Sequence, residues 1–416
     1  MQRANQFRIN PNNIQEKILG EIMEHTAYLY NTANYEKRQR FFAKEKLPTA
    51  FDLDKQLKHN DNWLVVGTGV GHQTMSKLDD AWGSFWANLK RVIKEGSDER
   101  VRIPKYNKNR KTGKPDKLLA YWRNDCYTLR DDKVCVSVSK TTKKKYGLKG
   151  MLEIPLRGNL KWGGKQGSLQ ISKSNGKFYC IQNVETKEPE ASKRKEICAI
   201  DLGVINLATI KFNKESVIYK GSNVLADFQY HDKTIAKEQE KLSKNHKGSI
   251  KYSDKIRTLK GRQSKRRKNA LKSLACSVVK DCEARDVGVI YVGDIRNIRE
   301  GCKFNKNANQ KIHNFWAFGY FIGRLQCCAE NKGIGFEFVS ERNTSRTCPD
   351  CGHISKSNRK YRGLFVCKQC AYTQNADVVG ATNIYNKVAP SPLWDRGSGL
   401  ETQPLICHWE DSRWTR

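Results

Sequence analysis

Nowhere in its 416 residues does the chain hold an apolar run near the roughly 20 residues needed to span a bilayer. Its opening, Met1-Gln2-Arg3-Ala4-Asn5, leads into polar sequence, so no signal peptide is expected. Acidic residues are scarce: 43 Asp and Glu stand against 77 Lys and Arg, a formal net charge of +34. An excess of that size costs self-repulsion unless a polyanion shares it. Nucleic acid is the polyanion that a long, phosphate-contacting surface would serve. The basic residues are spread along the chain rather than gathered beside an apolar helix, which argues against a membrane surface as the partner. The features of a disulfide framework are absent too. The 14 cysteines read as thiols and metal ligands of a reducing compartment, and Cys180 and Cys198, set in strand-like apolar runs, read as small core residues. Charged residues at 29% and aromatics at 10% describe a globular chain of about two to four domains.

The hydrophobic period changes along the chain. Residues 3–10 suit a short strand, after which Pro11 and Asn12 open a helix with Ile14, Ile18, Leu19, Ile22 and Met23 on one face. A second helix is expected at about 76–94, where Leu78, Trp82, Phe85, Leu89 and Ile93 form a stripe; Trp82 and Trp86 read as core. Residues 102–117 form a basic, Pro/Gly-broken loop holding Arg102, Lys105, Lys108, Arg110, Lys111, Lys114 and Lys117, suited to phosphate contact. From 132 to 188 the pattern turns to strands, with Ser174-Asn175-Gly176-Lys177 as a hairpin turn, and short strands at this spacing suggest a small barrel. The second half starts with the apolar run Ile197 to Asp201, and strands are expected at 207–212, 216–219, 288–292 and 335–340. A helix is expected near 311–332 and another from Ala376. Strands first, then strands alternating with helices, is the element order of an RNase H-like α/β domain. Residues 241–268 hold twelve Lys or Arg and one acidic residue, Asp254, a density that points to nucleic-acid contact. After Val388, Pro390, Pro392 and Gly397 suggest an irregular tail.

The strongest motif is Cys348-x2-Cys351-x15-Cys367-x2-Cys370, the spacing of a four-cysteine zinc site. Each pair forms a knuckle, Gly352 allows the first to turn, and residues 359–366 between them suit the hairpin of a zinc ribbon. With four protein ligands no position is left for a substrate, so the zinc is structural. His353 is a conceivable substitute ligand that the four-cysteine set does not need.

Asp201 ends a strand, and Asp377 sits at a helix start. Alone, the first is a turn residue and the second a partner for the helix dipole. Together with the order of the other motifs, they look like two of the carboxylates that a two-metal phosphodiesterase site requires. Ala199-Ile200-Asp201-Leu202-Gly203 resembles the first RuvC motif of TnpB proteins and of the related miniature type V CRISPR effectors. Asn343 to Cys348 resembles their lead-in to the zinc ribbon, and Asn375-Ala376-Asp377 with Ala381-Thr382-Asn383-Ile384 their third motif. One departure stands out. The family places a Glu at the end of the 288–292 strand, before an Asp; here Gly293 precedes Asp294. Three readings are open: a nuclease-dead, RNA-guided repressor; a role for Asp294; or a Glu relocated to Glu341, as in some TnpB relatives and their Fanzor counterparts. The sequence reading favours Glu341.

The resemblance implies a multidomain α+β protein. A wedge-like β-barrel (residues 1–10 and 96–195) would carry a helical recognition lobe (11–95). A RuvC-like nuclease domain (196–345 and 372–388) would carry the inserted zinc ribbon (346–371), with the tail at 389–416. It implies an RNA-guided endonuclease that cuts double-stranded DNA next to a short flanking motif. Its partners would be a guide RNA from the transposon end and the DNA target, in a prokaryotic cytosol and without a membrane. Its cofactors would be Mg²⁺ in a two-ion site on Asp201, Glu341 and Asp377, and Zn²⁺ on the four cysteines. A miniature type V effector has the same chemistry; a RuvC nuclease acting on branched DNA without a guide fits the basic N-terminal half less well.

Overall fold

The computed structural model describes residues 1–96, 99–108, 112–115, 119–130, 132–174, 176–245, 253–295, 309, 311–361, 363–389 and 403–416. The chain divides into two units, Met1–Lys187 and Glu188–Arg416.

The first unit opens with β1 (Gln2–Ile9) and α1 (Asn13–Phe42). Asn12 caps α1: its side chain accepts from the Gln15 N–H at 2.9 Å, and the Gln15 side chain accepts the Asn12 N–H at 2.9 Å, which satisfies two donors that a bare helix end leaves open. Ile18, Leu19, Ile22 and Met23 are fully buried, as their spacing predicts, whereas Ile14 in the first turn is 58% exposed. After α2 (Ala50–Leu57) and α3 (Asp61–Val66), α4 (Thr68–Glu95) starts well before the expected residue 76. Trp82 is core and donates from its indole N–H to Asn34 Oδ1 on α1 at 3.1 Å. Trp86 and Ile93, expected as core, are exposed because α4 outruns the surface it packs on.

The strands β2 (Leu119–Trp122), β3 (Tyr127–Leu129), β4 (Lys133–Val136), β5 (Leu152–Arg157), β6 (Lys165–Ser174) and β7 (Lys177–Glu185), with α5 (Lys140–Tyr146) before β5, complete the unit. They form an antiparallel sheet with β1, in the order β2-β6-β7-β1-β5-β4-β3. Only four residues join the edge strands β2 and β3, so the sheet must curl until its edges meet. The Tyr127 hydroxyl of β3 donates to the Gly167 carbonyl of β6 at 2.7 Å, and Gln166 Nε2 donates back to the Tyr127 carbonyl at 3.1 Å, tying that closure. The β6–β7 turn holds Gly176 at φ 71°, the left-handed conformation glycine tolerates; Asn175 lies outside the described residues. In the basic loop Arg102, Lys105, Lys108 and Lys114 are irregular, while Arg110, Lys111 and Lys117 lie outside the described residues.

The second unit begins with the meander β8 (Glu196–Asp201), β9 (Asn206–Lys211) and β10 (Ser216–Lys220). The helices α6 (Ser222–Asn245) and α7 (Asp254–Ala284) lead to β11 (Val287–Gly293), which pairs parallel with β8. The basic stretch 241–268 thus covers the end of α6 and the first half of α7, with 246–252 outside the described residues. Part of its charge is engaged: the Arg266 guanidinium pairs with Asp227 at 2.6 Å. The helix expected near 311–332 is instead a π turn (Lys311–Phe315) followed by α8 (Phe318–Glu330), broken between them. Strand β12 (Gly335–Val339) then pairs parallel with β11. A small sheet of β13 (Arg359–Tyr361), β14 (Leu364–Val366) and β15 (Thr373–Asn375) precedes α9 (Ala376–Asn386).

The tail corrects the expectation of irregular structure. β16 (Leu405–Glu410) pairs parallel with β10, and β17 (Arg413–Thr415) folds back on it, so the large sheet runs β12-β11-β8-β9-β10-β16-β17. Pro390, Pro392 and Gly397 lie outside the described residues, upstream of strands that fill the open edge of β10.

Period-two alternation assigns the faces of this sheet. Cys198 and Ile200 of β8, and Ile290 and Val292 of β11, pack with α7 and α8 in the main core. Ile197 and Ala199 pack on the other face, with Ile384 and Tyr385 of α9 and with Val339 of β12. Among the described residues no helix is long and apolar enough to cross a membrane.

Candidate functional site

Three strands of one direction, β8, β11 and β12, end at the same edge of the sheet, where parallel sheets place their ligands. Alternation carries Asp201 onto the face of Ala199, and Glu341, two residues beyond Val339, onto that same face. Gly293 shares it, since its neighbour Val292 faces the opposite core. A Cβ built on Gly293 would stand only 2.0 Å from Glu341 Oε1, so the Glu341 carboxylate fills the space in front of the glycine. That oxygen is buried and has no hydrogen-bond partner. The carboxylate therefore reaches the strand-end position from the adjacent strand, and any side chain at 293 would evict it. Gly380 of α9 shows the same close fit: a Cβ there would lie 2.4 Å from Asp201 Oδ2.

Asp377 arrives from α9. The Asn375 side chain caps this helix, accepting from the Asp377 N–H at 2.9 Å, so Asp377 sits in the first turn, where the helix dipole favours a negative charge. Its Oδ2 accepts from Asn206 Nδ2 at 2.7 Å and its Oδ1 from the Arg359 guanidinium at 3.1 Å. Burial, then the charges of Glu341 and Asp377, push Asp201 up to about 8. Burial, then the charge of Asp294, pushes Glu341 up to about 7. The charges of Glu341 and Asp377 acting on Asp201 place the three carboxylates in one electrostatic site. Asp294 thus lies within range of Glu341, although strand alternation turns it from the Asp201 face.

The four cysteines form a second centre. Cys348 and Cys370 Sγ lie 3.6 Å apart, Cys351 and Cys367 Sγ 3.5 Å apart. Among the described residues theirs is the one group of three or more His, Cys, Asp or Glu whose ligating atoms all lie within 4.8 Å of one another; the three carboxylates are spaced more widely. Gly352, at φ 73°, turns the first knuckle. His353 offers its carbonyl to the Cys348 N–H at 2.9 Å and lies outside the four-sulfur group. Burial raises the Cys367 thiol, but the N–H groups of Cys370 and Gln369 outweigh it and bring it down to about 7. Four sulfurs at this spacing suit zinc, with Cys348, Phe365, Cys367, Ala376 and Val379 as a small core beneath. Arg359, which reaches Asp377, starts the hairpin of this ribbon.

Sequence reasoning did not assign Arg359, Asn206 or Lys387 a role. A lone Arg or Lys in a basic chain carries no signal, and Asn206 becomes visible only when β9 is placed beside β8.

Residues 178–299 match the OrfB_IS605 family, described as "Probable transposase", and residues 318–384 match the "Cas12f1-like, TNB domain" family. The chain is 27% identical over 420 residues to the TnpB-like protein ORF457 of Acidianus two-tailed virus, covering 92% of this chain and 86% of that one. It is 28% identical to the "Putative RNA-guided DNA endonuclease InsQ" of Escherichia coli K12, over 52% of this chain and 55% of that one. It is 26% identical to the "CRISPR-associated endodeoxyribonuclease Cas12f1" of an uncultured archaeon, over 52% of this chain and 43% of that one.

Proposed function

We propose, starting from a chain that belongs to the TnpB-like family, that it is an RNA-guided DNA endonuclease whose hydrolytic centre is Asp201, Glu341 and Asp377. The observation that carries this reading is Glu341: a buried carboxylate oxygen without a partner, seated before Gly293 on the face that also holds Asp201. Leaving such an oxygen unsatisfied costs free energy that a hard cation would offset. An all-carboxylate donor set suits Mg²⁺, and Asp201, Glu341 and Asp377 would hold it. Bound ions of this kind supply an activated water and neutralise charge on the leaving oxygen.

The chain's own residues do the rest. Asn206 and Arg359 hold the Asp377 carboxylate by one oxygen each, fixing its plane. Asp201, a strong proton acceptor here, must release its proton before a cation enters. The four-cysteine ribbon, loaded with structural Zn²⁺, would brace β15 and the start of α9, and with them Asp377. The basic stretch on α6 and α7 and the basic loop of the first unit would contact RNA and DNA backbones. Base pairing to a guide RNA from the transposon end would then read the target strand, while the protein reads a short flanking duplex motif.

The test is Mg²⁺-dependent cleavage of a guide-matched duplex by the protein purified with its RNA. Glu341→Gln is expected to abolish cutting and Asp294→Asn to leave most of it. The reverse result would move the third ligand to Asp294. Absence of cutting by the parent, with guide-directed binding intact, would make the chain a repressor.

A further inference from the structure

Glu341 stands two residues beyond the last residue of β12, where no strand pairing holds it. The sheet's last bond there runs from the Asp294 N–H to the Val339 carbonyl, at 2.9 Å. Beyond it the chain enters a turn in which Thr344 donates to the Glu341 carbonyl through both its N–H, at 3.1 Å, and its hydroxyl, at 2.9 Å. Asn343 is held there at φ 63°, a conformation that costs a non-glycine residue energy and needs outside support. A carboxylate carried on such a turn would wander by more than a metal site tolerates unless something outside the turn fixed it.

Two side chains at the C-terminal end of α9 supply that support. The Asn383 amide, 7% exposed, donates to the carbonyls of Thr344 and Thr347 at 2.7 and 2.8 Å. The ammonium of Lys387, the C-cap residue, donates to the carbonyls of Ser340 and Arg342, the two residues flanking Glu341, at 2.7 and 2.9 Å. Gly380, Asn383 and Lys387 follow at three- and four-residue steps, so they lie along one stripe of the helix. At the top of the stripe Gly380 leaves the space that the Asp201 carboxylate occupies; lower down, the stripe grips the Glu341 turn. The same helix carries Asp377.

We propose that Lys387, with Asn383 beneath it, is the positioning residue for the relocated Glu341: helix α9 sets the separation of all three carboxylates by holding the turn through its carbonyls. This rests on the reading of Asp201, Glu341 and Asp377 as one metal site. Lys387 has no part in the sheet and lies exposed at the end of α9, so its removal is expected to spare the fold. It acts on backbone carbonyls, which any residue at 340 and 342 would present.

The experiment measures Mn²⁺ binding to the full, zinc-loaded chain by electron paramagnetic resonance, without nucleic acid. Parent, Glu341→Gln, Lys387→Met and Lys387→Arg are compared, with a thermal melt of each zinc-loaded protein before Mn²⁺ is added. Glu341→Gln tests the site itself: if it binds Mn²⁺ as tightly as the parent, the assignment of Glu341 as a ligand falls, whatever Lys387 does. With Glu341 established as a ligand, Lys387→Met is expected to weaken Mn²⁺ binding on the order of 10-fold, as removal of a group that orients a metal ligand does. Lys387→Arg, which keeps donors for both carbonyls, is expected to recover most of it, with all melts alike. Parent-like affinity in Lys387→Met, equal weakness in Lys387→Arg, or a melt lowered in step with the affinity would each overturn the positioning role.

Discussion

The carboxylate site turns on a glycine. Gly293 leaves room that the Glu341 carboxylate occupies, and a methyl group there would demand a shift of about 1 Å or more from the 2.0 Å approach. Misplacement on that scale costs catalysis about 10²-fold. Gly293→Ala is therefore expected to lose cleavage by roughly that factor while keeping guide-directed DNA binding, which gel retardation with a matched duplex would measure. Protonation makes a second residue-scale prediction. Asp201 and Glu341 titrate at about 8 and about 7 in the folded, metal-free chain, above the ordinary carboxylate range. The folded state therefore holds more protons than the unfolded one between the ordinary range and about 8. The stability these groups contribute is full below the ordinary carboxylate range, declines progressively as pH rises above it, and is gone once pH has passed about 7 to 8. Urea midpoints of the metal-free protein are expected to fall over that window, and Asp201→Asn to flatten the fall. Because cation entry displaces the same protons, Mg²⁺ affinity is expected to rise as pH rises.

At the level of elements, the C-terminal hairpin acts as a structural strand pair. Trp414 meets the Tyr219 ring edge-on at 5.5 Å, packs against Trp409, and donates from its indole N–H to the Ala270 carbonyl of α7 at 3.2 Å. Asn223 Nδ2 donates to the Trp409 carbonyl at 3.1 Å, binding the hairpin to the start of α6. Trp414→Ala is expected to destabilise the second unit by about 2 kcal/mol, the scale of withdrawing a large aromatic from packing, read from the denaturant midpoint of that unit. The ribbon behaves differently, because its five-residue core is too small to hold without metal. Zinc removal by a chelator is expected to release β13 and β14 and, through Arg359, to loosen Asp377. Cleavage is expected to fall with zinc content while the main sheet keeps its circular dichroism.

For the whole molecule the dominant quantity is charge. With +34 on 416 residues, binding to nucleic acid is expected to be governed by counterion release. Binding of any duplex should weaken by about 10³-fold or more between roughly 50 and 200 mM salt if about six or more phosphates are neutralised. Filter binding across that range gives the slope. Neutralising Arg262 and Lys265, both exposed on the first half of α7, is expected to reduce it by about two if each serves one phosphate, since each phosphate left without its cation lowers the slope by about one.

Much of this was legible in the chain. The four-cysteine spacing, the strand ending in Asp201 and the helix opening at Asp377 are local patterns, written in residue type and separation, and the net charge needs no fold to be read. Short apolar runs placed β8 to β12 because a strand covered on both faces is apolar throughout. Trp86 and Ile93 misled because a stripe records which residues could be buried, not where the opposing surface ends. The tail misled because Pro and Gly speak for the segment they occupy and not for strands that follow. What only tertiary structure decided is which groups meet. Glu341 lies 140 residues from Asp201 in sequence. Parallel pairing of β12 beside β11, the parity of position 341, the space in front of Gly293 and the grip of α9 on the turn bring the two into one field. Each of these is a long-range contact, and no local pattern specifies it.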